Sequence, residues 1–209
     1  MSRLRLILVG VFVGIALIVG AGSSDRLGPG FAQAKQDESI LMAAPTPMVY
    51  DFTLNDIDGK PVSLGQFCGK VLLLVNTASF CGNTPQYTDL EKMYEQYREK
   101  GFEILAFPAN NFGQQEPGTN DEIKTFCYTK YSLSFPLFSK ISVKGNDKHP
   151  LYRYLTEQSQ FSGEVEWNFQ KYLVDRSGKI VGRYHHRTKP LAPEIVQDVE
   201  RVLAANCSP

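Results

Sequence analysis

The stretch Val71-Leu-Leu-Leu-Val-Asn-Thr-Ala-Ser-Phe-Cys81-Gly-Asn-Thr84 decides how this chain is read. Leu72 to Val75 form a short apolar run, the pattern of a buried strand, and Pro85 to Tyr97 carry apolar residues at helical spacing. Cys81 therefore falls at a strand-to-helix junction. The free N–H groups of a helix's first turn, together with the helix dipole, favour the thiolate, which is the reactive form of cysteine. Thr84 stands where a Cys-x-x-Cys motif would place its second cysteine. The stretch thus reads as a single attacking thiol, not as a dithiol exchanger. A cysteine simply packed in the core is the competing reading.

Outward from this junction the elements alternate. Tyr50, Phe52 and Leu54 alternate with polar residues ahead of an Asp58-Gly59 hairpin signal. A strand over 71–76 precedes a helix over 84–99, with Tyr87, Leu90, Met93, Tyr94 and Tyr97 on one face. Gly101 stops that helix, and Phe102 to Phe107 read as a second buried strand, which implies a parallel pair with a crossover. Thr119-Asn-Asp-Glu122 is a capping box that opens another helix. A helix over 148–158, an antiparallel hairpin of 168–174 with 179–185 and a last helix from Pro193 complete the order. This predicts an α/β, thioredoxin-like fold: a central mixed sheet flanked by helices, with an N-terminal β-hairpin extension.

The 209 residues suffice for one domain with a proper core, expected over about 48–205 and followed by a short tail, 206–209. Twenty-two basic residues balance 22 acidic ones, and no clustered basic excess suggests a nucleic-acid partner. Arg3 and Arg5 precede an uncharged apolar run, Leu6 to Gly22. That pattern predicts an export signal or an uncleaved N-terminal membrane anchor over 1–22, with the basic flank cytoplasmic in both cases. Residues 23–47, rich in Gly, Ser, Ala, Pro and Gln, read as a flexible linker. The expected location is extracytoplasmic, either soluble after cleavage or tethered. Such a compartment permits disulfides, but Cys68, Cys81, Cys127 and Cys207 allow three full pairings. Neither the cysteine spacings nor His149, His185 and His186 suggest a metal site, and no cofactor is expected.

Three further segments stand out: Phe107-Pro-Ala-Asn-Asn-Phe-Gly-Gln-Gln-Glu-Pro-Gly118, Phe126-Cys127 with the following Tyr-Thr-Lys-Tyr, and Trp167-Asn168-Phe169. With the Cys81 stretch, and in this order, they closely resemble the glutathione peroxidase family from about Val49 to Leu203. The resemblance implies that Cys81 is the peroxidatic residue, in a cysteine version, with Trp167 and Asn168 around it. Asn111 falls where the family usually has glutamine and, being one methylene shorter, is expected to reach Cys81 less directly, with Asn110 as the neighbouring donor. Cys127 falls where thioredoxin-dependent members carry their resolving cysteine; packing in the core is its bland alternative.

Ionisation alone cannot supply such chemistry. A thiol of pKa about 8.5 gains only some 30-fold in thiolate by full ionisation at neutral pH, and a lower pKa also blunts nucleophilicity. Donors must therefore also stabilise the departing alkoxide as the O–O bond breaks. The expected activity is reduction of hydrogen peroxide and organic or lipid hydroperoxides through a Cys81 sulfenic acid. Resolution by Cys127 and recycling by a thioredoxin-like protein or glutathione would complete the cycle. The short segment between Lys140 and Glu166 resembles members lacking the tetramer-building loop, which implies a monomer with an open site. A peroxide-driven thiol–disulfide oxidant of client proteins and a redox sensor are the rival readings.

Overall fold

The structure, a computed structural model, describes residues 47–205. The expected signal or anchor, most of the linker and the C-terminal tail lie outside the described residues. Among the described residues, no helix is long and apolar enough to cross a membrane.

The Asp58-Gly59 signal closes a hairpin. Strand β1 (Thr53–Asn55) pairs antiparallel with β2 (Pro61–Ser63), and Leu54 faces Val62. Asp56 Oδ1 accepts the N–H groups of Asp58 and Lys60, each at 2.9 Å, while Gly59 takes φ +79°, a conformation that only glycine adopts freely.

Strand β3 (Val71–Thr77) is buried along its whole length. It is followed by α1 (Gln86–Tyr97) and by β4 (Phe102–Pro108), which pairs with β3 in parallel. The expected helix over 84–99 is shorter at both ends. Consecutive tight turns, including Thr84 N–H to Cys81 O at 3.0 Å and Tyr87 N–H to Thr84 O at 3.1 Å, wind the chain from Cys81 into the helix. Arg98–Lys100 tighten to a 3-10 turn that ends at Gly101, φ +85°.

Helix α2 (Asn120–Tyr131) opens on the expected capping box. Thr119 Oγ1 accepts the Glu122 N–H, and Glu122 Oε2 accepts the Thr119 N–H at 2.7 Å. Only Ile123 and Cys127 of this helix are buried. The expected 148–158 helix is one turn of α3 (Pro150–Arg153) continued by a π turn, Tyr154–Gln158. Strands β5 (Lys171–Val174) and β6 (Ile180–Tyr184) form the second hairpin, and α4 (Pro193–Ala204) ends the domain.

The main sheet has the order β4-β3-β5-β6, with β5 antiparallel to β3. Successive side chains of a strand point to opposite faces. Leu73, Val75 and Ile104 therefore pack with Tyr87, Leu90 and Met93 of α1 and Ile195 and Val199 of α4. Leu72, Leu74, Leu105 and Phe107 pack instead with Leu151, Tyr152 and Tyr172. Both faces are covered, as expected for a mixed sheet flanked by helices.

The segment 168–170, expected as strand, is a loop instead. Phe169 takes φ +72°, and Asn76 at the end of β3 captures its backbone. Asn76 O accepts the Phe169 N–H at 2.6 Å, Asn76 Oδ1 accepts the Gln170 N–H at 3.1 Å, and Asn76 Nδ2 donates to Trp167 O at 3.1 Å. A bulky residue at positive φ is costly and persists only where its surroundings hold it. Here the Asn76 hydrogen bonds hold that conformation, and with it the Trp167-Asn168 pair beside the Cys81 turn.

Candidate active site

Cys81 lies in the first turn after β3, almost buried, at 8% exposure. The Asn83 N–H donates to its Sγ at 3.3 Å. The sequence leads one to expect the N–H groups of the helix's first turn at this sulfur; a turn amide ahead of α1 takes that place instead. Thr84, in place of a second cysteine, locks this turn: its Oγ1 accepts the Cys81 N–H at 3.0 Å and donates to Ala78 O at 2.8 Å.

An open pocket of about 490 Å³ is lined by Cys81, Asn83, Glu166, Trp167, His186 and Arg187. Cys81 and Trp167 therefore share one cavity, as expected. Trp167 is half-buried and leans on Phe112, ring centroids 5.4 Å apart. Asn168 is fully buried beside them, and its carbonyl accepts from Asn83 Nδ2 at 3.3 Å.

Asn111 is directed elsewhere. Its Nδ2 donates to Ser142 Oγ at 2.9 Å and Lys144 O at 3.1 Å, and its Oδ1 accepts the Val143 N–H at 2.8 Å. Both ends of the amide thus fasten the 142–144 loop, and Asn111 does not line the Cys81 pocket. Asn110, its neighbour, accepts the Glu116 N–H at 2.8 Å.

The amide that bonds to Asn168 and to the Cys81 turn is Gln115, which sequence reasoning missed and which itself does not line the pocket. Its Oε1 accepts from Asn168 Nδ2 at 3.0 Å, and its carbonyl accepts the Phe80 N–H at 3.0 Å, one residue before Cys81. A single residue so joins the Cys81 turn to Asn168. Gln115→Leu leaves a buried amide without its partner, at about 1–3 kcal/mol. We expect kcat/KM for hydroperoxide to fall about 10-fold, read by steady-state assay at fixed reductant. An unchanged value would remove Gln115 from the site.

Cys127, on α2, is fully buried and is not on the pocket wall. Burial pushes its thiol up to about 12; a hydrogen bond with Tyr87 works against this, and the charge of Glu116 adds to it. The neutral thiol is inert as it stands. Glu116 is itself fully buried, and burial raises its carboxyl to about 7 against the opposing pull of Ser79 and Lys140. Lys171 of β5 is also buried and is lowered to about 7 by that burial. Its Nζ donates to Phe169 O at 2.7 Å and Thr188 O at 2.8 Å, bracing the Trp167-Asn168 loop.

The histidine spacing suggests no metal site, yet Glu166, His185 and His186 each bring one ligand atom within 4.8 Å of the others. Their surroundings work against a cation. Arg183 pairs with Glu166 at 3.6 Å, and His185 Nε2 lies 3.3 Å from the same carboxylate. His186 is held below its usual range by burial and by the charges of His185 and Arg187. The group gathers around the Arg183–Glu166 ion pair at the rim of the pocket. Cys68 is exposed, Cys68, Cys81 and Cys127 are all unpaired, and Cys207 lies outside the described residues.

Residues 49–156 match the family model described as glutathione peroxidase. The chain belongs to the glutathione peroxidase family. It is 50% identical over 171 residues to a hydroperoxy fatty acid reductase of Synechocystis sp., covering 78% of this chain and all of that protein. It is 45% identical over 190 residues to a chloroplastic phospholipid hydroperoxide glutathione peroxidase of Arabidopsis thaliana, covering 89% of this chain and 80% of that one. Among solved structures, the apo form of Trgpx is 36% identical with a TM-score of 0.60, covering 76% of this chain and 97% of that chain. GPX1 of T. cruzi is 32% identical with a TM-score of 0.57, covering 75% and 97%. These likenesses bear out the thioredoxin-like fold and place the chain among the peroxide-reducing thiol peroxidases.

Proposed function

We propose that this glutathione peroxidase family enzyme reduces organic and lipid hydroperoxides as well as hydrogen peroxide, through Cys81. The observation that carries this reading is the Cys81 thiol at an open pocket beside Trp167, with a turn N–H on its sulfur. The Cys81 thiolate attacks the terminal oxygen of the hydroperoxide, the O–O bond breaks, and a proton goes to the departing alkoxide. Cys81 becomes a sulfenic acid and the hydroperoxide an alcohol, or water. The Trp167 Nε1–H and the second hydrogen of Asn168 Nδ2 are donors of the kind that stabilise such an alkoxide. An open pocket, and relatives named for hydroperoxy fatty acids and phospholipid hydroperoxides, support bulky substrates.

Cys127 resolves the sulfenic acid in this reading. Its thiol gives up its proton and attacks Cys81 sulfur, and the Cys81–Cys127 disulfide forms with release of water. Full burial of Cys127 requires α2 to open first. A helix with two buried residues is suited to that, because the cost of opening rises with the apolar packing that the segment must give up.

The reductant is then a thioredoxin-like protein, whose dithiol matches an intramolecular disulfide. Turnover with a thioredoxin system is expected to exceed turnover with glutathione at equal thiol concentration by about 10-fold or more; faster turnover with glutathione would reverse this assignment. The enzyme acts as a monomer, which light scattering checks, and a dimer or tetramer would contradict it. Arg3, Arg5 and the apolar run Leu6 to Gly22 support export, by a cleaved signal or an N-terminal tether. Recovery of the chain only from the cytoplasm would contradict it.

A further inference from the structure

Phe80 is 68% exposed, the most exposed large apolar side chain among the described residues. It immediately precedes Cys81. Burial cannot explain an aromatic ring left so far in water. Its ring meets that of Phe126, centroids 6.3 Å apart and tilted by 39°. Phe126 immediately precedes Cys127. The two residues one step ahead of the two thiols are thus already in contact, while Cys127 faces the core.

Phe126 has a second ring partner, Tyr131, at 5.7 Å, and Lys130 Nζ lies 5.2 Å from its ring. Tyr131 and Lys130 belong to the same helix as Phe126, so those contacts depend on α2 being wound. Phe80 belongs to the Cys81 turn, the destination of Cys127. Unwinding α2 removes the Tyr131 contact and leaves Phe80 as the apolar partner that Phe126 can keep.

We propose that the Phe80–Phe126 pair is a positioning device for resolution: it holds the two chain segments together while α2 opens and brings Cys127 to Cys81. The pair takes no part in bond making. Cys127 S–H and Cys81 S–OH still give the disulfide and water. The pair shortens the search by keeping the two sulfurs' neighbours in contact, which raises their effective concentration. The proposal rests on Cys127 being the resolving residue.

Trp167, the single tryptophan, shares the pocket with Cys81 and reports both steps by its fluorescence in stopped flow. A first phase that scales with hydroperoxide concentration is Cys81 oxidation. A second phase that is independent of concentration is disulfide formation. We expect Phe80→Ala to slow the second phase about 5-fold and to leave the first unchanged, with Phe80→Tyr restoring it. Phe126→Ala should slow it similarly, and the double variant should be no slower than either single one. An unchanged second phase would overturn the proposal. So would slowing of both phases by one factor, which marks general damage, or acceleration of the second, which marks a latch on the wound helix. In Cys127→Ser the second phase must vanish. If it persists there, the resolving assignment fails, and that failure is distinct from failure of the aromatic pair.

Discussion

Cys81→Ser is expected to reduce hydroperoxide turnover to the uncatalysed background, a loss of at least about 10³-fold. The physical reason lies in both the group and its position. A serine hydroxyl is not ionised at neutral pH, and the Asn83 N–H, 3.3 Å from the Cys81 sulfur, is a donor, which cannot remove its proton. No other described cysteine can substitute. Cys127 is buried and its thiol is held neutral, and Cys68 is exposed and does not line the pocket. Serine differs from cysteine by one atom at a nearly buried site, so the fold should persist with a similar unfolding midpoint. Retention of a tenth of the activity by a folded Cys81→Ser protein would end the assignment.

Cys127→Ser should separate the two halves of the cycle. The first oxidation is expected at the wild-type rate, because Cys127 is not on the pocket wall. Thioredoxin-driven turnover should then fall at least about 100-fold, because a sulfenic acid without an internal partner waits for an outside thiol. The hydroxyl also enters a site next to Tyr87, at a burial cost of about 1–2 kcal/mol offset by any hydrogen bond it makes. A modest drop in stability is therefore compatible with the account, and a slowed first phase is not. Full thioredoxin-driven cycling in Cys127→Ser would remove Cys127 from the mechanism.

Much of the scaffold was legible in the chain because its signals are local. The Asp58-Gly59 turn, the apolar runs of β3 and β4, the Thr119 capping box and the Pro193 helix start each act within a few residues, and all four stand in the structure. What escaped depends on contacts between distant segments. Phe169 reads as strand, yet Asn76, far off in sequence, holds it at positive φ. Asn111 and Gln115 are both amides of one loop. The distant 142–144 loop occupies the first, and the distant Asn168 meets the second. Spacing alone could not rank them, although Gln115 stands in the Gly-Gln-Gln-Glu segment of that loop. Phe80 carried no signal either, since an exposed aromatic is recognised only once the surface is known.

The most direct test of the central claim is thiol counting and disulfide mapping by mass spectrometry after one equivalent of hydroperoxide, on the full chain under non-reducing conditions. Two thiols are expected to be lost, with one peptide pair joined through Cys81 and Cys127. A sulfenic acid or a glutathione adduct on Cys81 with Cys127 still free would contradict it. That result would make this a one-cysteine enzyme with glutathione as its reductant.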